Sequence, residues 1–102
     1  MRFAAAAIAV AVATLASSGA QANCVQRVVV FEMLGCPHCA STRAFLEGNK
    51  IPFERVEVWQ NPEVQAFMIE NFGSSAVPVI INGQKAVKGH TEEGLRKLLC
   101  LG

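Results

Sequence analysis

The sequence lacks an excess of charge of either sign and lacks a second long apolar run. Nine Lys and Arg residues oppose eight Asp and Glu residues. No basic patch is therefore available to hold phosphates, and we expect no nucleic-acid partner. After residue 22 no apolar stretch is long enough to cross a membrane. A second Cys-x-x-Cys or His pair is also missing, which argues against a closed four-ligand zinc site.

Residues 1–22 have the pattern of a secretory signal peptide. Arg2 supplies one positive charge, an alanine-rich apolar run follows over residues 4–16, and Ala20-Gln21-Ala22 is a small-x-small cleavage signal. We expect cleavage after Ala22, which would leave a single domain over residues 23–102 in the periplasm or outside the cell. A domain of about 80 residues lies near the lower size limit for folding without extra covalent support.

The apolar pattern after the predicted cleavage site indicates an α/β domain with the element order β-α-β-α-β-β-α. The predicted strands cover residues 27–32, 53–58, 77–81 and 84–87. The predicted helices start at Pro37, Asn61 and Thr91. Asn82-Gly83 predicts the hairpin turn between the last two strands. Strand–helix–strand connections join parallel strands, so the first two strands are expected to be parallel and the hairpin to add antiparallel partners.

Cys36-Pro37-His38-Cys39 lies between the first predicted strand and the first predicted helix. A helix N-terminus has exposed N–H groups and partial positive charge, and both stabilise a thiolate. The thiolate is the species that attacks in disulfide exchange. A Cys-x-x-Cys pair next to a strand–helix–strand pattern therefore indicates a redox-active dithiol.

As a set, the motifs of this chain resemble those of glutaredoxins, which are small members of the thioredoxin superfamily. The likeness extends over residues 27–99. Its motifs are Gly35-Cys36-Pro37-His38-Cys39, Asn61-Pro62-Glu63, Ala76-Val77-Pro78, Ile81-Asn82-Gly83 and Gly89. The resemblance implies a minimal thioredoxin fold, with a four-stranded mixed sheet, three helices and a cis peptide bond before Pro78.

The resemblance also implies roles for individual site residues. Cys36, accessible at the helix N-terminus, would be the catalytic nucleophile. Cys39, one turn further and more buried, would be the resolving thiol that releases the substrate. Val77 would offer its backbone groups to the substrate, next to Pro78. We expect these four residues to form the centre of the site.

Two departures from the family pattern concern glutathione. Glutathione-dependent members usually carry a lysine three residues before the first cysteine, where this chain has Met33. They also carry Gly-Gly before the last helix, where this chain has Lys88-Gly89. Backbone donors near Gly89 and Thr91 could still bind a carboxylate as part of the substrate site. Glutathione therefore stays open as a co-substrate, and no bound cofactor or metal is expected.

Pro37-His38 is expected to tune the redox chemistry of the dithiol. An imidazole near the Cys36 thiolate can stabilise it and make the disulfide more oxidising. The Pro-His pair is similar to that of the periplasmic disulfide oxidases. Those proteins place a buried acid six residues before the first cysteine, where this chain has Val30, so no internal carboxylate is expected there. The direction of electron flow stays open.

Cys24 and Cys100 are expected to form a structural disulfide. Cys24 precedes the first strand, and the last helix runs back from the active-site end, so Cys100 should finish beside it. Four cysteines in an exported chain are consistent with two bridges. The alternatives are a regulatory thiol, an intermolecular bridge, or lipidation of Cys24, although Asn23 is not the small residue that a lipobox requires.

The sequence thus predicts an exported, monomeric thiol–disulfide oxidoreductase. Its partners would be protein thiols or disulfides, or glutathione, together with a membrane or soluble redox partner that recycles the dithiol. Two hypotheses of other classes are a periplasmic protein that binds or delivers a soft metal such as Cu(I), and a non-catalytic interaction domain. Trp59 is expected near the active site as a substrate contact or a packing residue, and His90 as a solvated loop residue.

Overall fold

The computed structural model describes residues 24–102, so the predicted signal peptide lies outside the described residues. The elements are β1 (Val28–Glu32), α1 (Pro37–Gly48), β2 (Glu54–Glu57), α2 (Pro62–Phe72), β3 (Val79–Asn82), β4 (Lys85–Lys88) and α3 (Glu92–Leu99). This order confirms the predicted α/β architecture. No helix within residues 24–102 has both the length and the apolar character needed to cross a membrane.

The sheet has the strand order β2-β1-β3-β4. β1 is parallel to β2, with Val30 opposite Arg55, and antiparallel to β3, with Val30 opposite Ile80. Because of these directions, β1 and β2 end at the edge of the sheet where β3 begins. We call it the dithiol edge, since Cys36 follows β1 there.

The two faces of the sheet pack on different helices, because side chains alternate along each strand. One face joins α1 and α3 through Val28, Val30, Leu46, Ile80, Leu95, Leu98 and Leu99. The other face joins α2 through Phe31, Met68 and Val79. Leu46, Leu95 and Leu99 are fully buried, and each such side chain contributes about 1.5–3 kcal/mol of transfer free energy. β1 is therefore a central strand covered on both faces.

Each helix begins with a capping side chain. The sulfur of Cys36 caps α1, Asn61 caps α2 and Thr91 caps α3 by accepting a backbone N–H from the first turn. Pro37 and Pro62 occupy the first helical position, where the missing N–H costs no hydrogen bond. The local sequence thus sets where α1 starts, and with it where the two cysteines lie.

Each of the four strands differs from its predicted bounds by one or two residues at one or both ends, and the differences at β3 and β4 have clear physical reasons. β3 begins at Val79 rather than at residue 77, since Pro78 has no N–H to donate to the sheet. Asn82 pairs with Lys85, so the turn consists of Gly83 and Gln84 rather than Asn82-Gly83. Gly83 has φ +65°, which glycine adopts readily. β4 consequently ends at residue 88 instead of residue 87.

Candidate active site

Cys36 and Cys39 form a disulfide at the N-terminus of α1, with their Cα atoms 5.2 Å apart. The backbone N–H of Cys39 donates a hydrogen bond to the Cys36 sulfur at 3.1 Å. Cys39 is fully buried, whereas Cys36 is partly exposed. An approaching thiol or disulfide can therefore reach the sulfur of Cys36 but not that of Cys39.

A tight turn presents Cys36 at the dithiol edge. The Cys36 N–H donates to the Met33 carbonyl at 3.2 Å. Gly35, the third residue of this turn, has φ +78°, a conformation that favours glycine. The turn leaves the side chain of Leu34 84% exposed. The four-residue turn from Met33 to Cys36 thus connects the end of β1 to the start of α1.

Val77 and Pro78 lie at the same edge, because Val79, the next residue, pairs with Phe31 near the end of β1. The Val77–Pro78 peptide bond is cis, as the resemblance implied. The Pro78 carbonyl accepts a hydrogen bond from the Gly89 N–H at 2.8 Å. The structure thus brings together three of the residues that the sequence analysis placed at the substrate site.

The segment before α3 makes contacts that the sequence did not indicate. The buried Thr42 hydroxyl and His90 Nδ1 form a hydrogen bond of 2.9 Å, so His90 connects this segment to α1 instead of being a solvated loop residue. The hydroxyl of Thr91 accepts the Gly94 N–H at 3.0 Å. Lys88 Nζ donates to the Phe72 carbonyl at the end of α2. Neither the Thr91 hydroxyl nor the Lys88 amine is left without a partner.

Pro37 and His38 are both exposed in the first turn of α1. They lie on the surface beside the accessible sulfur of Cys36. Trp59, one residue after the buried Val58 at the end of β2, is 59% exposed. The dithiol edge therefore displays an imidazole and a large aromatic side chain, in addition to the exposed Leu34 of the turn.

An internal carboxylate, missed by the sequence analysis, lies at the end of β1. Glu32 is only 3% exposed, and its two carboxylate oxygens accept hydrogen bonds from Arg43 of α1 and Arg55 of β2. Val30, at the position where the disulfide oxidases carry an acid, belongs to the apolar core. Strand alternation puts Glu32 on the same face as Val30, towards α1, and Arg43 is one helical turn after Cys39. The alternation along β1 and the four-residue spacing in α1 are the sequence signals that could have located the Glu32 carboxylate and its partner.

A second disulfide joins Cys24 to Cys100, with Cα atoms 6.1 Å apart and a sequence separation of 76. The buried Asn82 lies next to it. Its side-chain amide donates to the carbonyls of Cys24 at 2.9 Å and Leu98 at 3.0 Å. Its Oδ1 accepts the N–H of Gln26 at 2.7 Å. This cluster ties the first described residues to the end of α3, at the sheet edge opposite the dithiol.

A metal site is not evident in the part of the chain that the structure describes. Within residues 24–102, no group of three or more His, Cys, Asp or Glu side chains is arranged to hold a metal ion. Soft-metal binding therefore gains no support from the described residues.

Comparison with known proteins finds similarity to a protein family and to two bacterial proteins. A protein-family model described as Glutaredoxin matches residues 28–87. N-acetyl-S-hydroxy-L-cysteine reductase of Bacillus subtilis is 27% identical over 75 residues, which cover 72% of this chain and 81% of that protein. A glutaredoxin of Pseudomonas aeruginosa is 29% identical over 62 residues, covering 61% of this chain and 74% of that protein.

Comparison with solved structures identifies the fold. The crystal structure of a glutaredoxin from Archaeoglobus fulgidus matches with a TM-score of 0.67 and 30% sequence identity, covering 76% of this chain and 88% of that one. The predicted four-stranded mixed sheet with three helices in a thioredoxin fold is thereby confirmed.

Proposed function

The chain belongs to the glutaredoxin family, and from this membership we propose that it is an exported thiol–disulfide oxidoreductase. Its Cys36–Cys39 pair would exchange disulfides with protein or low-molecular-weight thiols. The observation that carries the proposal is the unequal exposure of the two sulfurs at the start of α1, since Cys36 is accessible and Cys39 is buried. A B. subtilis relative that is named as a reductase supports a redox role.

In the reducing direction, the Cys36 thiolate attacks one sulfur of a substrate disulfide. The substrate S–S bond breaks, and the other substrate sulfur leaves as a thiolate that takes a proton. The Cys39 thiolate then attacks the Cys36 sulfur, which forms the Cys36–Cys39 bond and releases the second substrate thiol. Two electrons pass from the protein to the substrate. The reverse sequence oxidises a substrate dithiol.

Two features favour the Cys36 thiolate in this scheme. The N–H of Cys39 donates to the Cys36 sulfur, and the N-terminal end of α1 supplies partial positive charge. Val77, half-buried beside Pro78, would offer its backbone groups to an extended substrate. A glutathione carboxylate would meet backbone N–H groups at the start of α3 and the O–H of Thr91, whose oxygen accepts the Gly94 N–H.

Export to the periplasm or the medium is part of the proposal. It is supported by the pattern of residues 1–22 and by the Cys24–Cys100 bridge, because disulfides persist in oxidising compartments. In such a compartment a reductase would need a membrane or soluble partner that returns electrons to Cys36–Cys39, whereas an oxidase would need a partner that removes them. We propose that the protein acts as a monomer.

The proposal predicts that the protein, expressed as the full chain and purified, catalyses reduction of bis(2-hydroxyethyl) disulfide by a thiol. Equilibration in graded glutathione buffers should give one two-electron transition for Cys36–Cys39 between roughly −120 and −270 mV. A potential near roughly −120 mV would identify an oxidant or isomerase, and a potential near roughly −270 mV would identify a reductase. Absence of catalysis by folded protein with an alkylatable Cys36 would contradict the proposal.

His38 is predicted to raise the reduction potential of the pair. Its imidazole can stabilise the Cys36 thiolate, and hence the reduced form, so His38→Ala should lower the potential by about 30 mV, a tenfold change in equilibrium constant. The measurement is the same glutathione titration. Ser41→Ala, at an exposed position on the same helix, is the matched control. Equal reduction potentials for wild type and His38→Ala would show that His38 does not tune the dithiol.

A further inference from the structure

A groove of about 220 Å³ opens beside Cys36. Met33, Leu34, Pro37 and Ala40 contribute apolar walls, and Arg43 and Arg55 contribute positive charge. Arg55 belongs to β2, whereas Val77 and Gly89 adjoin β3 and β4, on the other side of β1 in the sheet. The groove therefore lies on a different side of the Cys36 sulfur from the residues assigned above to substrate binding.

The buried Glu32 carboxylate fixes both guanidinium groups. Arg43 donates through Nη1 to Oε1, and Arg55 donates through Nε to Oε2. Arg55 donates through Nε, and its two terminal nitrogens make no hydrogen bond within residues 24–102. The side chain of Arg55 is 54% exposed and that of Arg43 is 26% exposed, whereas that of Glu32 is only 4% exposed. Donors on Arg55 are thus held in place and accessible from the solvent.

The charges in this groove do not cancel. Two arginines pair with one glutamate, which leaves one positive charge in excess in the groove that Cys36 also lines. Glu57 is the next residue on the same face of β2, but its carboxylate accepts the Trp59 N–H at 3.2 Å and does not line the groove. A negatively charged group in the groove would therefore find an attractive field and N–H donors with fixed geometry.

We propose that this groove is an anion subsite, and that the substrates of the protein are disulfides with a carboxylate close to the sulfur that Cys36 attacks. The inference rests on the proposed function, because it takes Cys36 as the attacking thiolate. The carboxylate stays unchanged in the reaction. Cys36 bonds to the nearer sulfur, the substrate S–S bond breaks, and the other half leaves as a thiol after taking a proton.

The test compares three disulfides of similar size. These are 3,3′-dithiodipropionate, which is a dianion, neutral bis(2-hydroxyethyl) disulfide, and cystamine, which is a dication. The rate of the first exchange with reduced protein is divided by the rate of the same disulfide with dithiothreitol, which removes intrinsic reactivity. We expect the normalised rate to be about 5-fold higher for the dianion than for the neutral disulfide, and lowest for the dication, since partly exposed charge-assisted hydrogen bonds have modest strength.

Arg55→Gln should abolish this preference for the dianion. Arg27→Gln is the matched control, because Arg27 lies at the opposite end of β1 and pairs with Glu54 on the surface. There the hydrogen bond and charge of Arg27 lower the pKa of Glu54. Glu32→Gln acts in the opposite direction. It removes the negative charge and keeps one of the two acceptor oxygens, so the excess positive charge of the groove rises and the preference for the dianion should increase by about 2-fold.

The outcomes separate the inference from the function on which it rests. Equal normalised rates for all three disulfides would overturn the anion subsite and leave the oxidoreductase intact. An equal loss of preference in Arg27→Gln and Arg55→Gln would attribute the effect to overall charge and would also overturn it. If Arg55→Gln does not fold, an unchanged preference in Glu32→Gln overturns the subsite. No exchange with any of the three disulfides would overturn both.

Discussion

Replacing Cys36 by serine should lower the rate of disulfide exchange by on the order of 10³-fold or more and leave the fold unchanged. A serine hydroxyl stays protonated at neutral pH and cannot act as the attacking thiolate. The fold should persist because serine is itself a strongly preferred N-cap residue, so its oxygen can accept the Cys39 N–H that the sulfur accepts now. Turnover of bis(2-hydroxyethyl) disulfide is the measurement, and far-ultraviolet circular dichroism is the control for folding.

Cys39→Ser should give a different defect. Cys36 stays accessible, so the first exchange should proceed at a rate similar to that of wild type. Without the second thiol, the mixed disulfide between Cys36 and the substrate should accumulate, and intact-protein mass spectrometry would detect it as a one-to-one adduct. Retained turnover in Cys36→Ser, or a substrate adduct on Cys39 in that variant, would show that the two cysteines have the opposite roles.

The contrast between these variants follows from the exposure of the two sulfurs. Cys39, in the first turn of α1, is fully buried, so an external disulfide cannot align its S–S bond with the sulfur of Cys39. It can reach the Cys36 sulfur, because the two Cα atoms are only 5.2 Å apart. An exposed first sulfur and a buried second one are what a nucleophile and a resolving thiol require.

Local sequence was enough to locate the dithiol. Gly35 supplies the left-handed residue of the turn, Cys36 caps α1, and Pro37 fits the first helical position. All three effects act within a few residues, so a motif of five residues contains them. The same holds for α2, which begins at Asn61-Pro62 and ends at Gly73, with φ +85°.

Contacts between distant segments could not be predicted in the same way. Asn82 was assigned to a turn because Asn-Gly is a strong local turn signal. It is instead the last residue of β3, where its side chain binds the carbonyls of Cys24 and Leu98. Those partners are 58 and 16 positions away in the sequence. A local propensity was overridden by a tertiary requirement for a buried hydrogen-bonding group.

The Glu32 carboxylate was missed for a similar reason. Its two arginine partners are 11 and 23 positions further along the chain, on a helix and on a neighbouring strand. A carboxylate buried at this depth is tolerated only when charged partners compensate it. Sequence alternation gives the face on which Glu32 lies, but only the register of β1 with β2 shows that Arg55 can reach it.

Removing the Cys24–Cys100 bridge should reduce the free energy of unfolding by about 4 kcal/mol in the chain-entropy treatment. The bridge closes a loop that spans 76 positions, nearly the whole described chain, so it removes many conformations from the unfolded state. For a small domain with a typical stability of about 5–15 kcal/mol, this is a large share. The measurement is urea unfolding of Cys24→Ala/Cys100→Ala, compared with wild type.

Cys36→Ser/Cys39→Ser is the matched control, since that bridge spans three positions and restricts the unfolded chain much less. The Asn82 amide should still hold the carbonyls of Cys24 and Leu98 in the variant without the long bridge, which keeps the native ends in place. Exchange activity should therefore persist below the unfolding transition, because the bridge lies at the edge opposite the dithiol. A loss of stability no larger than that of the control would contradict a structural role and favour a regulatory thiol pair.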